Sequence, residues 1–328
     1  MMRRLMGAML GLAMATASSA AEAPAKSGGV LKTIIEGIPH SALFGLSLDS
    51  NSGSAVGAGG SIYETTDGGV TWKAVDKAPT TLAFLSVSRR GDKGIAVGQA
   101  GVVAVRDGSG WKISDSGVPA RLLSVEMNSS GLAFAGGEFG TLLKSSDFGA
   151  SWSSAAPDWA SMASAEHFGT GEPMIYAVSV LDSGQITVAG EFGVMLRSND
   201  AGATWRVLRP INPEAATLHA LHLSPSGQNS YAVGQTGEML ISTDGGETWG
   251  KCDIATELNF LGVAASASGQ VVVTGMRVMY RSENNGMTWT QIEEGDTKTD
   301  WYQAVRTETG SGRILAVGHA GKIIQIGG

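Results

Sequence analysis

Ser242-Thr243-Asp244-Gly245-Gly246-Glu247-Thr248-Trp249 reads S-x-D-x-G-x-T-W, and the chain uses this box again and again. Thr65 to Trp72 is TTDGGVTW, Ser145 to Trp152 is SSDFGASW, and Ser198 to Trp205 is SNDAGATW. Ser282 to Trp289 is SENNGMTW, with Asn284 in the place of the aspartate, and a shortened relic, RDGSGW, ends at Trp111. Successive tryptophans lie 39, 41, 53, 44 and 40 residues apart. A fixed period in that range marks a repeat architecture.

The box explains itself as a turn. A carboxylate can accept hydrogen bonds from backbone N–H groups of the turn it starts, as in Asx-turns. Asp67, Asp147, Asp200 and Asp244 are therefore expected to be structural. The glycine gives backbone freedom, and Trp72, Trp152, Trp205, Trp249 and Trp289 are expected to pack between neighbouring units. Spread around a ring, the aspartates are too far apart to converge as catalytic acids or metal ligands.

A second signal precedes each box: an apolar run, then G-x-x-G, then another apolar run. The copies begin at Gly57, Gly98, Gly137, Gly190, Gly234, Gly275 and Gly318, and in the sixth Val278 replaces the second glycine. Each reads as a tight hairpin needing positive φ. Together the signals give units of four strands at a period of about 44 residues, which are propeller blades. The expected fold is all-β: one seven-bladed propeller of four-stranded antiparallel blades over residues 30–328. The seventh unit stops at Ile326, after its third strand, while VLKTIIE at Val30–Glu36 is unassigned. That N-terminal strand is expected to complete the last blade and remove two bare sheet edges.

Ahead of the propeller, Met1-Met2-Arg3-Arg4, the apolar Leu5 to Ala17 and Ser18-Ser19-Ala20 form a secretory signal, expected to be cleaved near Ala20. Residues 21–29 are a short linker. The chain is read as periplasmic, with no membrane insertion after cleavage. Losing Arg3 and Arg4 takes the formal net charge from −7 to −9. So acidic a chain, without a basic stripe, is a poor nucleic-acid binder. The single Cys252 can form no internal disulfide and reads as a core or strand-edge thiol.

Antiparallel order puts all seven G-x-x-G turns on one face with the blade-to-blade loops, and the boxes on the other. The interval from Gly137 to Gly190 is 53 residues, and its extra length lies in an insertion at 153–174 that carries Trp159 and His167. Long loops on a rigid scaffold often carry function. The candidate binding face is Gln99, Glu138, Phe139, Trp159, His167, Glu191, Phe192, Gln235, Arg277 and His319. Two readings stand: a mixed aromatic and charged binding surface, or hairpins whose Phe rings pack onto adjacent blades. His40, His167 and His319 share the face, but no His-x-His or carboxylate spacing supports a metal. No cofactor is implied.

The boxes are those of sialidase-like propellers. Paired with A-V-G-x-x-G hairpins in seven units, they make the chain resemble the photosystem II assembly/stability factor-like family of Asp-box (BNR) propellers. The resemblance implies a non-catalytic protein that helps assemble a membrane complex, with protein partners in the envelope or that complex. Photosynthetic members are thought to use an arginine-rich patch, whereas Arg106, Arg197, Arg209, Arg277 and Arg281 are scattered here. Relatives outside photosynthesis include proteins that accompany resistance–nodulation–division-type exporters, and an exporter accessory role fits that branch. The alternatives are a small-ligand or glycan-binding propeller and, more remotely, a sialidase-like glycoside hydrolase. The latter needs an arginine triad beside a Tyr–Glu pair.

Overall fold

The computed structural model describes residues 29–162, 171–224, 227 and 229–327. The proposed signal segment and His167 lie outside the described residues. Seven four-stranded antiparallel sheets form the ring. In blade one the strands are Leu43–Asp49, Ser52–Gly57, Ile62–Thr65 and Lys73–Ala74. The innermost strands of blades two to seven are Phe84–Arg90, Leu122–Met127, Ile175–Val180, Leu218–His222, Phe260–Ala265 and Tyr302–Thr307. Blade seven takes its outer strand from Leu31–Ile35, antiparallel to Ile323–Ile326, with Leu31 opposite Ile326. The ring closes as the sequence predicts.

Second strands such as Ala133–Gly137 and Val271–Gly275 are buried throughout, because each is covered on both sides by a neighbouring blade. The core is accordingly a set of interfaces. Ile95, Val97 and Val103 of blade two meet Leu122, Val125 and Met127 of blade three. The outermost strands of blades one, three, five and six are two residues long, which leaves little free edge for a foreign strand.

The boxes form as read. One carboxylate oxygen of Asp67 accepts from the backbone N–H of Val70 (3.0 Å) and Thr71 (2.9 Å), and the other from the Thr71 hydroxyl (2.5 Å). These bonds, led by the Thr71 hydroxyl, hold its carboxyl at about 2. Asp200 is likewise held at about 2 by Thr204. Asn284 keeps the acceptor contacts on Oδ1 and turns Nδ2 to donate to the Thr288 hydroxyl (2.9 Å). The tryptophans wedge between blades: Trp72 packs with Ala304 and Leu315 of blade seven, and Trp205 meets Phe134 of blade three edge-on at 6.1 Å.

The hairpins need glycine for a reason the sequence reading did not give. The first glycine of the motif is extended (φ −176° at Gly98), a conformation open to any residue. A Cβ on Gly98, however, would lie 2.0 Å from the carbonyl oxygen of Ala83, and one on Gly234 1.9 Å from that of Thr217. The motif's first glycine therefore permits close approach of the hairpin to the start of its own innermost strand. Positive φ falls on the third and fourth positions of the motif, including non-glycine residues such as Ala100 (50°) and Phe139 (53°).

Candidate functional site

On the hairpin face, the residue after the first glycine is already employed. Gln99 Oε1 accepts the N–H of Ala83 (3.0 Å), Glu191 Oε2 that of Met174 (2.9 Å), and Gln235 Oε1 that of Thr217 (3.4 Å). Glu138 accepts the N–H of Arg121 and holds its guanidinium at 2.5 Å. These four side chains clamp each hairpin to the chain entering its blade, and Glu138 and Glu191 are half-buried in doing so.

The matched Glu-Phe pairs of blades three and four come to different ends. Phe139 is 69% exposed, whereas Phe192 is half-buried against the core shared by blades three and four. The neighbouring linker makes the difference. Beside Gly140 sits Trp159, and beside Gly193 sit Ala215 and Arg209.

Trp159 itself corrects the expectation of an exposed anchor. It opens a one-turn helix, Trp159–Met162, is 5% exposed, and its indole N–H donates to Gly140 O at 3.0 Å. An indole with a partner for its N–H is stable inside, where its large apolar surface is out of water.

Arg277 and His319 are exposed. His319 stands 3.2 Å from Asp300 and close to Trp301, which stacks on Phe44 (5.9 Å between ring centres, 3° between planes). Among the described residues, five of the nine exposed large apolar side chains are on this face. Phe139 and Met276 belong to hairpins. Ile38 and Leu258 lie in linkers that hydrogen-bond to hairpin backbone, and Leu82 lies in the linker against Gly60.

Inside the ring, the second residue of each innermost strand lines the channel: Phe44, Leu85, Leu123, Tyr176, His219, Leu261 and Gln303. Bonds between these strands lace the blades together, as from Val125 N–H to Ser86 Oγ and from Met127 N–H to Ser88 Oγ (both 3.1 Å). His219 Nδ1 lies 2.8 Å from Phe260 O, and burial lowers its pKa, which favours a neutral, structural ring. The waist offers about 70 Å³, room for a few waters.

Toward the box face the channel widens into a recess of about 670 Å³. Arg90, Glu126 and Arg306 line it, each a charge near the end of an innermost strand. Sequence reasoning passed over them. The legible signal was a charge inside a channel strand, as in FLSVSRR, LLSVEM and YQAVRT.

The scattered arginines have separate tasks. Arg106 and buried Arg89 share Glu64, which also accepts the Trp111 indole N–H (2.9 Å). Burial would raise the Glu64 carboxyl, but the hydrogen bonds from Arg106 and Trp111 and the charge of Arg89 outweigh it and hold it low. Arg197, 1% exposed, reaches Glu247 (2.8 Å) in the box of blade five. No tyrosine lines the recess among the described residues, and Tyr176 is on the waist. The described residues hold no group of three or more His, Cys, Asp or Glu side chains placed to bind a metal ion.

Ring, boxes and hairpins define the class: a seven-bladed Asp-box propeller. Within it the chain is similar to Ycf48 over part of its length. The family model described as photosynthesis system II assembly factor YCF48 matches residues 166–326, just under half of the chain. The photosystem II assembly lipoprotein Ycf48 of Synechococcus sp. (strain CC9902) is 25% identical over 115 residues, which are 34% of this chain and 34% of that protein. The matched region thus spans about a third of that relative's length. Among solved structures, YCF48 from Cyanidioschyzon merolae superposes with a TM-score of 0.71 at 19% identity, over 91% of this chain and 99% of that one. YCF48 bound to D1 peptide gives 0.68 at 19% identity, over 93% and 99%. The GH74 xyloglucanase from Xanthomonas campestris gives 0.69 at 16% identity, over 89% of this chain and 52% of that one. At these identities the superpositions speak for the fold.

Proposed function

We propose that this propeller is a non-catalytic scaffold that holds a segment of a partner protein on its hairpin face while a membrane complex is assembled. Phe139 carries the reading: a large apolar ring 69% exposed at a fixed left-handed hairpin position. Exposed aromatics on a rigid frame are the usual anchors of protein interfaces. Ile38, Leu82, Leu258 and Met276 add apolar surface on the same face. The structure of YCF48 bound to D1 peptide lends the idea of a peptide as ligand. The place of action in this reading is the envelope, reached through the signal at 1–20, and its finer form is an exporter accessory.

The test is site-specific photo-crosslinking in cells. A crosslinker at position 139 is expected to capture one membrane-complex component. The same probe at Met287, 77% exposed in the box of blade six on the other face, is expected to capture none. Equal capture at both positions, or capture at 287 alone, overturns the assignment of the face.

A further inference from the structure

The recess at the box-face end of the channel is fixed by loops that bind one another. Asp49 of blade one accepts the N–H of Gly91 of blade two (2.6 Å), and Asp182 of blade four accepts that of Ser129 of blade three (2.8 Å). Its shape is therefore set before anything enters. At about 670 Å³ it falls within the range of small-molecule sites. Arg306 lines both the recess and the waist, so it stands at the floor where the two meet. Its guanidinium makes one hydrogen bond, to the adjacent Val305 carbonyl (2.9 Å), and its counter-charge in the recess, Glu126, acts on it through space and not through a bonded ion pair. Arg90 donates to the Arg89 carbonyl (2.8 Å) and stands 3.7 Å from Glu126. Three cations line the recess, Arg90, Lys93 and Arg306, and of these Arg306 is the one at its floor.

We infer that this recess binds a small organic monocarboxylate, whose carboxylate takes the free N–H fork of Arg306 and whose body lies against apolar wall. A guanidinium offers two parallel N–H donors matched to a carboxylate. Phe148, half-buried with the Lys93 ammonium 5.9 Å from its ring centre, supplies the wall, backed by the buried Leu48, Val87 and Val125. Phosphate fits worse, because the carboxylates of Glu126, Asp92, Asp49 and Asp182 outnumber the cations Arg90, Lys93 and Arg306 and repel a dianion more than a monoanion. The narrow waist keeps the ligand on this side, away from the hairpin face.

The test is calorimetric titration of the folded chain with N-acetylleucine, beside its neutral amide N-acetylleucinamide and inorganic phosphate. Saturable binding of the acid alone is expected. Arg306→Gln is expected to weaken it by about tenfold or more, the scale of a lost charge-assisted fork. Circular dichroism of that variant should match the wild type, so that lost binding is not lost folding. Phe139→Ala should bind the acid as wild type does, which separates this site from the hairpin face. Equal binding of acid and amide, unaltered binding by Arg306→Gln, or no saturable heat with the acid at millimolar concentration each overturns the proposal.

Discussion

Gly98→Ala and Gly59→Ala separate the two reasons a hairpin can have for glycine. Gly98 is extended, so alanine there costs nothing in φ and ψ. Its new methyl would instead meet Ala83 O at 2.0 Å and Phe84 Cα at 2.8 Å, both backbone atoms of the strand that must stay in register. Relief requires a shift of about 1 Å, which strains the Gln99 N–H to Ala83 O bond (3.0 Å) beside it. Overpacking of this kind costs about 3 kcal/mol, and the weakened bond adds about 1 kcal/mol. Gly59 is the converse: φ is +63°, but no atom lies within 4 Å of the place its methyl would take. Ala100 and Ala320 hold the equivalent place in blades two and seven at φ of 50° and 55°. Alanine at 59 should therefore cost only about 1 kcal/mol, the left-handed penalty. Urea unfolding of both variants, followed by tryptophan fluorescence and compared at constant slope, reads the difference as a midpoint shift. Equal shifts, or a larger one for Gly59→Ala, refute the close-approach explanation.

Trp159→Ala should lower stability by about 3–5 kcal/mol in the same assay, because it empties a buried site and orphans the Gly140 carbonyl. Trp159→Phe should lose distinctly less. Glu64→Gln leaves Arg89, with a side chain only 4% exposed, and Arg106 without their shared counter-charge. Because Glu64 is itself a quarter exposed, the expected loss is about 2–3 kcal/mol, below that of a fully buried pair, read from the urea midpoint. The box aspartates set an acid limb. Asp67 and Asp200 sit at about 2 against an ordinary 3.8, so their contribution is complete above 3.8 and is lost as pH falls through 2. The double substitution Asp67→Asn and Asp200→Asn should flatten stability across that window, measured by circular dichroism, while keeping the bonds that Asn284 already shows. An unchanged acid limb would assign it to other carboxylates.

Blade number, ring closure and the role of the boxes were legible because they depend on local chemistry. Asp244, Gly246 and Trp249 make contacts within a few residues, and a spacing that repeats does not depend on long-range detail. Trp159 was misread because its burial depends on Gly140, nineteen positions back and in another loop. Phe139 and Phe192 could not be told apart by their identical neighbours. Their difference lies in the linker side chain opposite, Trp159 or Ala215. The recess was invisible for a related reason. Arg90, Glu126 and Arg306 come from three blades, and no spacing along the chain announces their meeting. The two-glycine motif was located correctly and half explained: its second glycine takes the expected positive φ, whereas a nearby carbonyl, not a dihedral angle, excludes a side chain at the first.

The pairing of Leu31–Ile35 with Ile323–Ile326 has a kinetic meaning. Every other blade is built from neighbouring hairpins and can form as its own segment becomes available. The last blade needs partners from opposite ends of the sequence, the most expensive loop to close and therefore the contact that forms late. Until it forms, the third strand of blade seven has an open edge, with Ile323 and Ile326 on it, available to the same stretch of another copy. A ring that is edge-free when finished thus passes through a stage in which exchange of that strand between molecules competes with closure. Crowded chains at high concentration would meet that competition most often, and dilute ones would close on themselves.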